Sequence, residues 1–206
     1  MNVYDFDNTL YDGESTFDFF LFCLKRRPAL VRWLFPIVGG LVRYKLCLLS
    51  RESLKTLAER NLLGLLHACP DYVELVERFW DKSISKIKPF YRRLQRSDDV
   101  VLTASFDFLI EPCMRRLGIR TYVCSSADLE KGQITRLCFR ESKLTCFDGV
   151  CPGAVPHSFY TDSLNDLPLL CRAEKAYLVR GERYAPLTVS AKGKVKVGAF
   201  SQFSEK

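Results

Sequence analysis

Three short runs of the sequence gather residues able to do acid, base and metal chemistry: Asp5-Phe6-Asp7-Asn8-Thr9, Thr103-Ala104-Ser105 and Asp162-Ser163-Leu164-Asn165-Asp166. Asp5 and Asp7 stand two apart, so on an extended backbone both carboxylates project to the same side. Asp162 and Asp166 stand four apart, which brings both near one face where a loop enters a helix. Taken singly, either pair could equally cap a helix or face solvent. Together they supply up to four carboxylates to one small volume. Their mutual repulsion asks for a hard cation, and oxygen ligands suit Mg²⁺.

Each run follows, or breaks, a segment that reads as a strand. Asn2–Phe6 is a short strand broken at Asp7-Asn8-Thr9, and Val100-Val101-Leu102 is fully apolar and ends at Thr103. Thr121–Cys124 and Ser158–Thr161 follow, and Ala176–Val179 reads as the last strand. Between them the pattern turns helical over Pro89–Gln95, Phe106–Leu117, Glu141–Phe147 and Asn165–Arg172, with Gly118 well placed to end the second of these. Short apolar strands alternating with helices predict an α/β fold with a parallel sheet covered on both faces. Ligands of such sheets bind in the crevice beyond the carboxyl ends of the strands, where the three polar runs fall.

From Thr16 to about Lys88 the alternation stops. Thr16 is a suitable N-cap for Phe17–Arg26, and Pro28 can open a second helix. Leu54, Leu57, Ala58, Leu62, Leu65 and Leu66 keep a helical period, and Pro70 can open a further helix through Trp80. This block reads as an inserted all-helical cap. The expected division is a core of residues 1–15 and 89–190, a cap of 16–88, and a basic tail, 191–206, that is loosely ordered.

The spacing and order of the polar runs resemble those of the haloacid dehalogenase superfamily. Asp5-Phe6-Asp7-Asn8-Thr9-Leu10 resembles its first motif, D-x-D-x-T, and Thr103 after an apolar strand resembles its second. Lys143, within Cys138-Phe139-Arg140-Glu141-Ser142-Lys143, resembles the third motif as found in the phosphoserine-phosphatase-like branch, and Asp162 to Asp166 the fourth. A lone lysine on a helix is ordinarily solvated, and it is this context that singles out Lys143. A helical cap between the first and second motifs also belongs to that branch, and the resemblance spans roughly residues 2 to 180. It implies a Rossmann-like core and an Mg²⁺-dependent phosphomonoester hydrolase. Asp5 is then the nucleophile that forms an aspartyl-phosphate, and Asp7 the acid and base. Asp5, the Asp7 carbonyl and Asp162 would hold the metal, with Asp166 a further ligand or one step removed. Thr103 and Lys143 would grip the phosphoryl oxygens, Ser105 would contact phosphate or cap its helix, and Asn165 would orient the set. Two departures bear on the substrate: Asn8 stands where glycine is commonest, and Thr161 and Ser163 flank Asp162 where phosphoserine phosphatases usually have glycines.

Composition sets the outer limits. The chain has 206 residues, is 48% hydrophobic and carries 31 Lys and Arg against 24 Asp and Glu, which excludes a disordered tail or a low-complexity segment. Nine scattered cysteines with no C-x-x-C pair, and two distant histidines, His67 and His157, offer no zinc-ligand spacing. A reducing compartment suits such thiols, and the N-terminus lacks the grammar of a signal peptide, so a cytoplasmic protein is expected.

The basic surplus concentrates in the cap. Residues 16–60 hold nine Lys and Arg against three acidic residues, interleaved with the ten uncharged residues Trp33–Val42. A spanning helix needs about 20 apolar residues, so this stretch is too short to cross a bilayer. It could rest at a membrane surface, or its aromatic residues could form cap core while the arginines snorkel outward. The segment also loosely resembles the one that follows the first motif in bacterial phosphatidylglycerophosphatases of type C. The expected ligand is therefore a phosphorylated small molecule or a lipid head group, with peripheral contact at the inner face of the membrane in the second case. No nucleic-acid motif is present, and none is expected as a partner. A reading of another class is a non-catalytic phosphate- or partner-binding protein on the same scaffold.

Overall fold

The computed structural model describes residues 1–32, 36, 39–40, 43, 53, 56–57, 59, 61, 68–140, 142–190 and 194–203. The expectations for the apolar stretch Trp33–Val42, apart from Pro36, Gly39 and Gly40, and for most of Ser53–Leu66 lie outside those residues.

Among the described residues a nine-stranded sheet forms the centre. Strand β1 (Asn2–Asp5) lies between β2 (Val100–Phe106) and β5 (Ser158–Thr161), parallel to both. β2 continues in parallel to β3 (Thr121–Asp128), and β5 in parallel to β6 (Lys175–Arg180). Strand order thus reverses at β1, the switch point at which a parallel sheet opens a crevice. All four residues of β1 are buried, as a central strand covered on both faces requires.

Alternation along β1 divides the interior in two. Tyr4 enters one cluster with Val76, Phe79, Trp80, Leu109 and Ile110, while Val3 enters another with Leu102, Val123, Phe147 and Phe159. The first face carries α2 (Tyr72–Ser83), α3 (Pro89–Leu94) and α4 (Asp107–Leu117), and the second carries α5 (Ser142–Val150) and α6 (Leu167–Arg172). Helix α1 (Ser15–Arg26) packs on α2 through a small cluster of Cys23, Leu30, Cys69 and Leu75. Helix α2 is itself bound to the sheet layer, because the Trp80 indole N–H donates to the Leu109 carbonyl at 2.6 Å. Residues 72–87 therefore share the larger cluster with β1 and α4 rather than standing apart from it. Gly118 adopts φ +68° and closes α4 as its position predicts, its N–H turning back to Arg115 at 3.2 Å.

Two expectations fail at the edges of the sheet. Ala176–Val179 lies in β6 but is not the last strand: antiparallel β7 (Arg183–Val189) follows, and β8 (Val195–Val197) and β9 (Ser201–Gln202) pair with its far side. The tail is accordingly built into the fold over its described residues. An open edge at β7 would leave a row of unpaired backbone groups, and the tail takes them up. Phe203 completes the join by stacking on Phe90, with ring centroids 3.9 Å apart. At the opposite edge, β4 (Gln133–Arg136) adds an antiparallel strand to β3 beyond those expected. The described cysteines are all free thiols.

Candidate active site

The chain leaves β1 at Asp5 and turns at once. The N–H groups of Thr9, Leu10 and Tyr11 all converge on the Phe6 carbonyl, at 3.2, 2.8 and 2.9 Å. Asn8 follows Asp7 in a left-handed conformation, φ +58°, which explains why this position otherwise favours glycine; asparagine is among the few side chains that tolerate it. Its N–H donates to the Gly13 carbonyl at 2.9 Å, and its amide group donates to Glu14 Oε1 at 2.6 Å. Gly13 has φ +126°, and a Cβ there would meet Asp18 Oδ2 at 3.1 Å, so the position takes glycine for conformation and space alike.

Two polar groups grow from this loop. In the first, Lys143 reaches from the start of α5 and donates to Asp5 Oδ1 at 2.7 Å and Asp166 Oδ2 at 2.9 Å, with all three residues buried. Thr161 donates to the same Asp166 oxygen at 3.1 Å. Burial works against the Lys143 charge, but the two carboxylates outweigh it and hold its pKa above the ordinary lysine value. Burial pushes the Asp166 carboxyl upward while Lys143 opposes the shift. Asp162 lies beside Asp5, and burial together with that neighbouring charge pushes its carboxyl up to about 7.

In the second group Asp7 is held from two sides. Its Oδ1 accepts from the Ser15 N–H at 2.6 Å, and its Oδ2 from the Ser105 hydroxyl at 2.7 Å. Ser105 Oγ also lies 3.1 Å from Ser15 Oγ and 2.9 Å from Thr16 Oγ1. The buried Thr103 accepts from the Ser105 N–H at 3.1 Å, which fixes the end of β2 against the loop. Loss of solvation pushes the Asp7 carboxyl up to about 6, and the bonds from Ser15 and Ser105 oppose that shift.

The structure thus brings together Asp5, Asp7, Thr103, Ser105, Lys143, Asp162 and Asp166. Asn165 is not drawn in: it is exposed, and the hydrogen bond found there is its backbone N–H to Ser163 Oγ, 3.1 Å. Ser105 is not the cap of α4, whose N-cap position is Phe106. Helix α1 has Glu14, not Thr16, at its N-cap and so starts two residues earlier than expected, and the Ser15 N–H of its first turn is free to donate to Asp7.

Three participants escaped the sequence reading: Ser15, Glu14 and Lys88. Serine next to threonine at a helix start reads as capping chemistry, and nothing local shows that both hydroxyls meet a serine 89 or 90 residues away. Lys88 is buried and its ammonium donates to the Asn8 carbonyl. Burial pushes the Lys88 pKa down, while Asp12, Glu182 and Asp162 push it up.

Among the described residues no three Asp, Glu, His or Cys side chains form a ready metal cage. The donors fit Mg²⁺ all the same, because that ion takes one or two carboxylates and keeps several waters. Asp5 and Asp162 lie side by side, and after burial it is the charges of Asp5 and Glu14 that push the Asp162 carboxyl up, with Lys143 opposing them.

Residues 3–170 match the family of haloacid dehalogenase-like hydrolases. No curated protein matches the chain. Among solved structures it is similar to a Bordetella pertussis Tohama I protein of unknown function, at 23% identity and a TM-score of 0.66 over 85% of this chain and 87% of that one. It is also similar to a phosphoserine phosphohydrolase-like protein from Francisella tularensis subsp. tularensis SCHU S4, at 16% identity and a TM-score of 0.50 over 85% and 86% of the two chains. A HAD family hydrolase from Salmonella enterica subsp. enterica serovar Typhi aligns at 11% identity and a TM-score of 0.56, over 83% of this chain and 58% of that one. At such identities the likeness to these structures is one of fold.

Proposed function

The chain belongs to the haloacid dehalogenase-like hydrolase family, and from that premise we propose that it is an Mg²⁺-dependent phosphomonoesterase working through an aspartyl-phosphate on Asp5. The observation that carries the reading is the buried Lys143 ammonium shared by Asp5 and Asp166, at 2.7 and 2.9 Å. A carboxylate held at the end of β1 with a cation beside it can attack phosphorus while the cation faces the charge that builds on the phosphoryl oxygens. Asp166, bonded to Lys143 and Thr161, keeps that cation in place.

Asp7 takes the proton work. As the Asp5–phosphorus bond forms and the ester bond breaks, protonated Asp7 gives its proton to the leaving oxygen. It then accepts one from the water that attacks the aspartyl-phosphate, releasing phosphate and restoring Asp5. A carboxyl pushed up to about 6 is suited to both roles near neutral pH. The Ser105 hydroxyl donates to Asp7 and favours its charged form, and it is held in place by the Ser15 and Thr16 hydroxyls, 3.1 and 2.9 Å away. Bound at Asp5, the Asp7 carbonyl and Asp162, Mg²⁺ would supply positive charge to the transferring phosphoryl group.

We read the substrate as a phosphorylated small molecule or a lipid head group, and the place of action as the cytoplasm, at the inner face of the membrane in the lipid case. The second substrate class rests on the basic, apolar stretch around Trp33–Val42. No helix among the described residues is long and apolar enough to cross a membrane.

The test is Mg²⁺-dependent phosphate release from an aryl phosphate, phosphoserine and phosphatidylglycerophosphate in vesicles, with Asp5→Asn as the control. Asp5→Asn is expected to lower release by on the order of 10⁴-fold while the protein stays folded. Preference for the lipid, together with binding to anionic vesicles that weakens on charge reversal at Arg26, Arg27 and Arg32, would assign the cap to the membrane. No release from any substrate by folded, Mg²⁺-loaded protein would favour the non-catalytic binding role.

A further inference from the structure

Lys88 enters the catalytic loop from the far side of the inserted block, 80 residues from the carbonyl it meets. It sits on the segment that returns from α2 to α3, and that segment is laced to the loop along its length. Lys86 accepts from the Asp12 N–H at 2.9 Å, Ile87 bridges Tyr11 in antiparallel fashion, and the Lys88 N–H donates to the Leu10 carbonyl at 2.8 Å. Backbone pairing alone would anchor the segment with any side chain at position 88. A buried ammonium here costs desolvation that a methionine of similar length would avoid. The lysine must therefore do something that packing does not require.

What it contacts is the carbonyl of Asn8, the residue that follows Asp7 and holds the left-handed turn at φ +58°. The peptide on one side of the Asn8 Cα is tied to Gly13 through its N–H, 2.9 Å, and the peptide on the other side is tied to Lys88 through its carbonyl. The two ties hold the peptides on both sides of that residue, the first of which is the peptide that Asp7 shares with Asn8. Burial lowers the pKa of this ammonium, the carboxylates of Asp12, Glu182 and Asp162 act against that shift, and Arg180 acts with it. Asp12 and Glu182 also line the small cleft in which Lys88 lies.

We propose that Lys88 is a positioning residue whose buried ammonium, on the Asn8 carbonyl, holds the turn that aims Asp7 at the leaving oxygen. The proposal rests on the phosphomonoesterase reading above and names a further part of that same site. A residue that aims the proton donor matters most where the leaving group needs a proton. Lys88→Met should therefore lose more activity on an alkyl phosphate, whose alkoxide leaves poorly, than on 4-nitrophenyl phosphate, whose phenolate leaves unaided.

The experiment measures kcat and KM on both esters for wild type, Lys88→Met and Lys88→Arg, with hydrogen exchange at residues 8–13. The expected result is a kcat loss of about 100-fold on the alkyl ester and about 10-fold or less on the aryl ester, with KM little changed. Lys88→Arg should recover part of the loss, and the Thr9, Leu10 and Tyr11 amides should exchange faster in Lys88→Met. Equal losses on the two esters, or unchanged exchange, would overturn the proposal. Should Lys88→Met not fold, Lys88→Leu, which likewise carries no donor, supplies the same comparison. A wild-type protein that hydrolyses neither ester would count against the phosphomonoesterase reading instead, and the exchange measurement would still decide whether Lys88 holds the turn.

Discussion

The central strands carry buried carboxylates at both ends, and the two ends treat them differently. At the carboxyl ends Lys143 bridges Asp5 and Asp166, and Asp7 takes bonds from Ser15 and Ser105. At the amino ends Asp99, just before β2, accepts from the Arg96 N–H at 2.7 Å through Oδ2, while its Oδ1 and the nearby Tyr91 hydroxyl are buried without a hydrogen-bond partner among the described residues. Burial pushes both Asp7 and Asp99 up to about 6. A displaced pKa therefore does not single out the working end of this sheet. What separates the ends is the company of each acid: a cation and a donating hydroxyl at one, aromatic rings and an open oxygen at the other.

The largest effect should come from removing the cation. Lys143→Met is expected to lower kcat by about 10²- to 10³-fold, the scale seen when a group that faces developing charge is lost. The same change leaves Asp5 and Asp166 buried without their partner, so unfolding free energy measured with EDTA should fall by about 3 kcal/mol. If activity fell without any change in stability, the ion pair would not be as buried as its geometry states.

The amino end should answer in stability alone. The pKa of Asp99 rises from 3.8 to about 6 on folding, so the native state holds its proton more tightly than the unfolded chain. That contribution is fully present below about pH 4 and is lost as pH rises through 6, a change of up to about 3 kcal/mol. Asp99→Asn keeps an acceptor for the Arg96 N–H and cannot ionise. Urea unfolding at pH 4.5 and 7.5 should show the variant gaining on wild type at the higher pH, with kcat unaltered. An equal difference at both pH values would remove Asp99 from the comparison.

The smallest effect belongs to Ser105→Ala. The Ser105 hydroxyl bonds the charged form of Asp7 and so lowers its pKa. Without that bond the pKa rises, and Asp7 stays protonated as an acid to higher pH. The alkaline limb of the kcat/KM profile should move upward, with a loss of about 10-fold or less at its maximum. An unmoved limb would mean that Asp7 is not the acid the limb reports.

Most of the site was legible because its residues lie at or just after short apolar or strand-forming runs. Asp5 ends β1, Asp162 follows β5 and Thr103 follows the apolar Val100-Val101-Leu102, though β2 itself continues to Phe106, and those boundaries are written locally. Ser15 and Lys88 were not legible, since each acts on a partner distant in sequence through a contact that leaves no periodic trace. Asn165 was over-read for the opposite reason: it lies within the fourth motif, yet the turn at Leu164–Asp166 leaves it exposed. The edge strands β7 to β9 were missed because β7 carries Pro186, which has no N–H for a ladder, and because the polar tail resembles a frayed end until Phe203 finds Phe90.

The sequence by itself determined the α/β alternation, the central parallel strands and the delivery of four carboxylates to their carboxyl ends, because periodicity and strand termination depend only on near neighbours. Tertiary structure alone decided which carboxylate receives the lysine, which is steadied by hydroxyls, and which loop is tied by Lys88. Those outcomes depend on distances and burial between residues as much as 138 positions apart, and such quantities come into being only when the sheet closes around its two cores.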